Sequence, residues 1–210
     1  TLALAQSLYE RHKVLTYPRT DSRALPEDYV ETVRETMQAL SSAPGLGLFA
    51  QEILRQGWVK PNRRVFDNKK VSDHFAIIPT LQAPRNLSDA EARLYDLVVR
   101  RFLAIFYPAA EFRVTTRITE VATHLFKTEG RVMINPGWLA VYQKPAKATD
   151  EDDDKILVPV EEGERALTNE LEIKDLATRP PARFTEATLL SAMEGAGKLV
   201  EDDELREAMA

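Results

Sequence analysis

The 210-residue chain has no cysteine. That excludes disulfides, thiolate metal sites and thiol catalysis, and fits a reducing compartment. No apolar run approaches the roughly 18 residues that a membrane-spanning helix needs. The opening residues Thr1 to Lys13 carry no initiating methionine and no basic stretch followed by an apolar one, so no secretory signal is read. The expectation is a piece of something longer. Glycine is scarce, with 8 residues, and nothing in the chain has the spacing of a nucleotide-binding P-loop. An excess of positive charge is also missing: 28 Lys and Arg face 33 Asp and Glu, for a net charge of -5. Taken alone, that argues against a nucleic-acid partner.

The charge is unevenly distributed, however. Residues 1–110 carry 15 basic and 12 acidic side chains, net +3, whereas residues 111–210 carry 13 and 21, net -8. Such asymmetry points to two regions with different tasks. The first region reads as helical. Leu2, Ala5, Leu8 and Tyr9 share a helical face, and the pattern stops at Val14 to Pro18, where Pro18 forbids continuation and biases Tyr17 toward an extended conformation. Pro26 suits the start of a second helix with Tyr29, Val30, Val33, Met37 and Leu40 as its stripe. A short helix from about Leu48 stops near Gly57, and a polar, basic stretch runs from Lys60 to Lys70. Ser88 with Glu91 forms a capping box that opens the longest helix, which Pro108 ends.

From Glu111 the apolar period changes to two. Phe112, Val114, Thr116 and Ile118 alternate with polar residues, and Thr123–Lys127, Arg131–Ile134 and Trp138–Tyr142 read as further strands, with turns at Glu129-Gly130 and Pro136-Gly137. Thr149 to Lys155 is an acidic loop; Asp152 and Asp154 within it have the D-x-D spacing of metal ligands but no apolar framework, so a solvated loop is the better reading. Strands are expected at Ile156–Val160 and Glu170–Leu176, a boundary at Pro180-Pro181, a helix capped by Thr185 and stapled by Phe184 and Leu189, and a last helix over Glu201–Ala210. The fold class is α+β in several domains.

Two segments carry chemistry. In Thr16-Tyr17-Pro18-Arg19-Thr20-Asp21-Ser22 the tyrosine sits at the end of an element. A phenol with a pKa near ~10 is a weak nucleophile unless a cation or base favours its phenolate. Arg19, two residues on, falls on the same side of an extended chain and suits two-pronged contact with a phosphate. The competing reading is a core tyrosine beside a surface arginine, and for the segment alone it is the commoner situation. In Asp73-His74-Phe75-Ala76-Ile77-Ile78-Pro79-Thr80, His74 suits donation to a phosphate oxygen or proton transfer, with Asp73 as a partner, against the competing reading of a hydrogen-bonded turn histidine. His12 and His124 have no such surroundings and read as structural or exposed.

Together these segments resemble the type IA DNA topoisomerases, specifically the topoisomerase III branch. Leu4 to Glu10 followed by Leu15 to Ser22 resembles the active-site tyrosine segment, and Val65-Phe66-Asp67 with Asp73 to Thr80 resembles the histidine segment. Phe126 to Gly130 through Pro136-Gly137-Trp138 and Val141-Tyr142 is similar to the gate arch, and Pro180 to Leu190 to the re-entry into the DNA-binding base. The resemblance implies three domains: residues 1–109 helical with the active-site tyrosine, 110–179 a β-rich gate or arch, and 180–210 the start of a helical DNA-binding base. It implies Tyr17 as the nucleophile that becomes linked to a 5′ phosphate of single-stranded DNA. Arg19 would support the phenolate and developing charge, His74 would hold a neighbouring phosphate, and Ser22, Arg183 and Thr185 would contact DNA. It further implies Mg²⁺ held outside this chain by an N-terminal metal-binding domain, no ATP, a helicase or single-strand-binding protein as partner, no membrane, and a cytoplasmic location on the bacterial nucleoid. Phe75 departs from the family pattern, in which that position is a second histidine.

The basic cluster Arg55, Lys60, Arg63, Arg64, Lys69 and Lys70, interleaved with Trp58, Phe66 and Phe75, has the composition of a single-strand platform. Two other readings remain open at this level. One is a non-catalytic single-stranded-DNA-binding or interaction module that keeps the fold; the other is a tyrosine nuclease or recombinase of a different kind.

Overall fold

The computed structural model describes residues 1–142, 157, 159–178 and 180–195. The acidic loop with Asp152 and Asp154, Ile156 and Val158 of the expected Ile156–Val160 strand, and the Glu201–Ala210 segment lie outside the described residues; Leu157, Pro159 and Val160 are described and form no strand. The chain divides into two compact units, Thr1–Glu162 and Gly163–Ala210.

The first unit is built on four helices: α1 (Leu2–Glu10), α2 (Val30–Leu40), α3 (Gly47–Gln56) and α4 (Asp89–Ala104). Pro26 leads into a 3-10 turn, Glu27–Tyr29, that feeds α2, because its fixed φ is already helical and its missing N–H is not needed there. Val33, Met37 and Leu40 of α2 meet Ala50 and Ile53 of α3 in the main core, the i, i+4, i+7 spacing that puts an apolar stripe on one side of a helix. Gly57 closes α3 with a left-handed φ of 62°, a conformation that costs a side-chain-bearing residue and suits glycine. Ser88 caps α4: its side chain accepts from the Glu91 N–H, and the Glu91 carboxylate accepts from the Ser88 N–H. From α4, Val99, Phe102 and Leu103 complete the main core, with Phe106 just beyond its end. A smaller core of Leu8, Val14 and Leu15 packs α1 and the chain after it against Leu94, Tyr95 and Val98 of α4.

The strands are fewer than the alternation predicts. β1 (Glu111–Val121) and β2 (His124–Asn135) form one antiparallel hairpin, an α+β arrangement with a two-stranded sheet. Glu129-Gly130 is not a turn but pairs with Thr116 and Thr115 inside the ladder. The chain reverses instead at Ala122 and Thr123, whose φ values of 47° and 71° are those of a two-residue hairpin loop usually filled by Asn-Gly. Trp138–Tyr142 is likewise a 3-10 turn, Gly137–Tyr142, rather than a strand. Gly137, at φ 47°, donates its N–H to the Asn135 side-chain oxygen and lies so near Ala109 that an added Cβ would clash with that residue's carbonyl oxygen. The turn then seats Val141 in the main core, and Arg100 of α4 donates to the Val141 carbonyl at 2.7 Å. Five residues of mixed alternation do not distinguish a strand from a single helical turn, and here core burial of Val141 decides it.

In the second unit the predicted strand Glu170–Leu176 has no ladder partner among the described residues, and Leu171, Ile173 and Leu176 are exposed. Alternation alone makes no sheet where no edge accepts the hydrogen bonds. Thr185 does cap a helix, α5 (Glu186–Glu194), by accepting from the Thr188 N–H; Phe184 and Leu189 remain exposed.

Two outcomes follow for thermal or chemical unfolding. Replacing Ala122-Thr123 by Asn-Gly is expected to stabilise the hairpin by about 1 kcal/mol, by removing left-handed strain from two side-chain-bearing residues. Gly137→Ala is expected to destabilise the first unit by about 2–4 kcal/mol through the clash at Ala109 and the positive φ.

Candidate active site

Tyr17 and His74 are 57 positions apart, and backbone hydrogen bonds bring them together. Leu15 bridges Pro79 in antiparallel fashion. Thr16 closes this bridge three times: its N–H donates to the Ile78 carbonyl (3.0 Å), its Oγ1 accepts from the Ile78 N–H (2.9 Å), and the same hydroxyl donates to the Ala76 carbonyl (3.1 Å). Thr80 N–H reaches the Val14 carbonyl at 3.1 Å. The ladder then passes outward, with Ala76 N–H on the Ala24 carbonyl and Leu25 bridging Phe66 in parallel. Val14 and Leu15 are buried, so the strand that carries Tyr17 is held by its side chains as well as its backbone.

Pro18 follows Tyr17, and the chain through Ser22 lies along the histidine loop. Thr20 Oγ1 donates to the His74 carbonyl (3.2 Å), and Ser22 Oγ donates to the Lys70 carbonyl (2.7 Å). Here the Tyr17 and His74 rings lie with centroids 4.1 Å apart, tilted by 33°. Tyr9 of α1 meets the Tyr17 ring edge-on at 5.5 Å. Arg19 turns toward α1 and donates to Gln6 Oε1 at 3.4 Å. Asp73 makes no hydrogen bond to His74 among the described residues; the histidine loop is fixed through its backbone instead. The result is a phenol, an imidazole and a guanidinium on one surface, all three able to donate to an anion.

Ser22 is thus tied to the backbone of the basic loop. Arg183 and Thr185 belong to the second unit, where both are exposed and Thr185 serves as the cap of α5. Among the described residues no three His, Asp or Glu side chains converge as metal ligands would. No described helix is long and apolar enough to cross a membrane. The aromatic residues interleaved with the basic cluster are occupied elsewhere. Phe66 is in the main core, Trp58 packs on Tyr107 (4.8 Å), and Phe75 packs on Tyr29 (4.8 Å). Burial takes Phe66 out of any exposed stacking platform, whereas Trp58 and Phe75 are half-buried.

A support that sequence reasoning missed lies beneath α1. Glu91, the third helical residue of α4, accepts from Ser7 Oγ at 2.6 Å as well as from the N–H and hydroxyl of Ser88. His12 Nε2 is 3.3 Å from Glu91 Oε1 but out of line for a hydrogen bond, and the two side chains are only 8% and 9% exposed. The hydroxyl of Ser7, then the N–H and hydroxyl of Ser88, hold the Glu91 carboxyl down at about 2, against the opposing effect of burial, with a smaller contribution from His12. The capping-box pattern announced Glu91 as a cap; nothing local announced that the same carboxylate grips α1.

The family model described as DNA topoisomerase matches residues 1–197. The DNA topoisomerase 3 of Bacillus subtilis (strain 168) is 38% identical over 208 residues, covering 97% of this chain and 28% of that protein. The DNA topoisomerase 3 of Bacillus cereus (strain ATCC 14579) is 42% identical over 210 residues, covering 96% and 28%. The chain therefore spans little more than a quarter of the length of these curated relatives.

The clamp on α1 predicts a pH dependence. Because the folded-state pKa of Glu91 lies below its ordinary 4.5, its contribution to stability is full above that ordinary value and is lost as pH falls toward about 2. In melting curves from neutral to acid pH, Glu91→Gln is expected to lower the melting temperature most near neutrality and to flatten the acid limb of the profile.

Proposed function

From the premise that the chain belongs to the DNA topoisomerase family, in its topoisomerase III branch, we infer that it carries the strand-cleaving tyrosine of a type IA enzyme. In a protein of the relatives' full length, Tyr17 Oη attacks a phosphorus of single-stranded DNA. The Oη–P bond forms as the P–O3′ bond breaks; the phenol gives up its proton and the departing 3′ oxygen takes one up. The 5′ phosphate stays on Tyr17 while a second strand passes, and attack by the 3′ hydroxyl reverses the step. The exchanged bonds are of the same kind, so resealing needs no ATP.

The observation that carries this reading is the close approach of the Tyr17 and His74 rings, 4.1 Å between centroids, on a surface that also bears Arg19. A phosphate against Tyr17 would lie within reach of an imidazole N–H, and donors placed where charge develops are worth several kcal/mol in a transition state. Arg19 serves both the phenolate and a non-bridging oxygen. Ser22, Arg183 and Thr185 contact the DNA backbone. Residues 1–109, 110–179 and 180–210 act as tyrosine domain, arch and start of the base. Mg²⁺ is held by residues outside this chain and supplies charge neutralisation at neighbouring phosphates. Helicases or single-strand-binding proteins supply the unpaired strand, and the protein works on the nucleoid.

In the full-length protein, Tyr17→Phe is expected to abolish the covalent adduct on labelled single-stranded DNA while leaving binding within a few-fold; retained relaxation or decatenation would favour the non-catalytic module. His74→Ala is expected to slow cleavage roughly 100-fold, the loss typical of one transition-state donor. The 210-residue chain by itself, incubated with the same DNA and Mg²⁺, is expected to form no appreciable adduct.

A further inference from the structure

Beside Tyr17 is an open cleft of about 330 Å³ whose walls include Tyr9, Lys13, Tyr17, Phe75 and Thr80, at the small end of the roughly 300–1,000 Å³ typical of ligand sites. Lys13 stands out in it. The residue adopts a left-handed φ of 59° where the chain leaves α1, a place that glycine or asparagine ordinarily fills. Thr80 holds it there, donating its hydroxyl to the Lys13 carbonyl at 2.6 Å and its N–H to the Val14 carbonyl at 3.1 Å. Its ammonium lies 5.6 Å from the centroid of the Tyr9 ring and has no carboxylate partner among the described residues. The left-handed turn closes α1, with Val14 N–H on the Leu8 carbonyl at 2.9 Å, but glycine or asparagine would close it with less strain; lysine there puts a cation with no carboxylate partner among the described residues on the wall of the cleft of the reactive tyrosine. Strain of this sort is a pointer to function.

We propose that the cleft is a nucleotide subsite, resting on the reading that this chain binds single-stranded DNA. Lys13 Nζ takes a backbone phosphate of the nucleotide next to the scissile one, and the ring of Tyr9 lies against its base or sugar. Lys13 is exposed and contributes a phosphate contact at the cleft's rim, and aromatic faces accept any base, so the subsite holds the strand without reading sequence.

The test separates strain from charge. In the full-length protein, Lys13→Gly is expected to raise the melting temperature, because glycine accepts the left-handed φ, while binding of an oligothymidylate weakens several-fold. The slope of log affinity against log salt should fall by about 0.7, the value for one phosphate contact on a single strand. Lys13→Gln is expected to show the same loss of affinity and slope with no rise in melting temperature. Wild-type affinity and salt slope in both variants would overturn the subsite, whether or not Tyr17→Phe abolishes the adduct. Loss of the adduct in Tyr17→Phe is read separately and bears on the catalytic reading alone. A wild-type protein that binds no oligothymidylate would overturn both.

Discussion

The site depends on the triple engagement of Thr16 with the 76–78 segment. A single residue donates its N–H, accepts with its hydroxyl oxygen and donates with its hydroxyl hydrogen to one neighbouring strand. Part-buried hydrogen bonds of this type contribute about 1 kcal/mol each when made and cost more when one partner is removed. The larger consequence is geometric. Thr16 immediately precedes Tyr17, and Ala76 follows His74 by two residues, so fixing one ladder sets the distance between two rings whose positions in the chain are remote. Pro18 holds the chain extended past the tyrosine, and the Thr20 and Ser22 hydroxyls tie the following residues to the histidine and basic loops.

The remaining elements keep that ladder in place. Val14 and Leu15 are buried against α4, and Glu91 at the start of α4 grips α1 through Ser7. That positions the helix whose Gln6 and Tyr9 face Arg19 and Tyr17. At the far end of α4, the Gly137–Tyr142 turn anchors the hairpin by burying Val141. A two-stranded ribbon is marginal in water. Val114, Ile118 and Leu125 stay exposed along this one, so its stability comes from its root on the helices and not from its own faces.

How much of this was legible in the sequence depended on where the deciding interaction was local. Ser88 with Glu91, Gly57 and Thr185 act within one helical turn, and their caps could be read directly. The hairpin reversal at Ala122 and Thr123 could not, because neither residue has the chemistry that a positive φ normally requires, while Glu129-Gly130 did have it and was built into a strand. The Gly137–Tyr142 turn is set by burial of Val141 against a distant helix, and the second role of Glu91 by a serine 84 positions away. Of the site, local chemistry marked Tyr17 and Arg19 only as a plausible pair; their company with His74 came from the family resemblance, since the Thr16 ladder is made largely of backbone groups that any sequence carries. Of the aromatic residues whose composition suited nucleic acid, Phe66 was claimed by the core, while Trp58 and Phe75 are half-buried and Phe75 also lines the cleft beside Tyr17.

The most direct measurement is the chemical identity of the residue that becomes joined to DNA. Trap the cleavage complex of the full-length protein on single-stranded DNA, digest with trypsin and nuclease, and locate the nucleotide by mass spectrometry. The account predicts a 5′-linked nucleotide on Tyr17, in the peptide Val14 to Arg19. A nucleotide on Tyr9, whose ring lies 5.5 Å from that of Tyr17 but whose peptide ends at Arg11, or attachment through a 3′ phosphate, would contradict it.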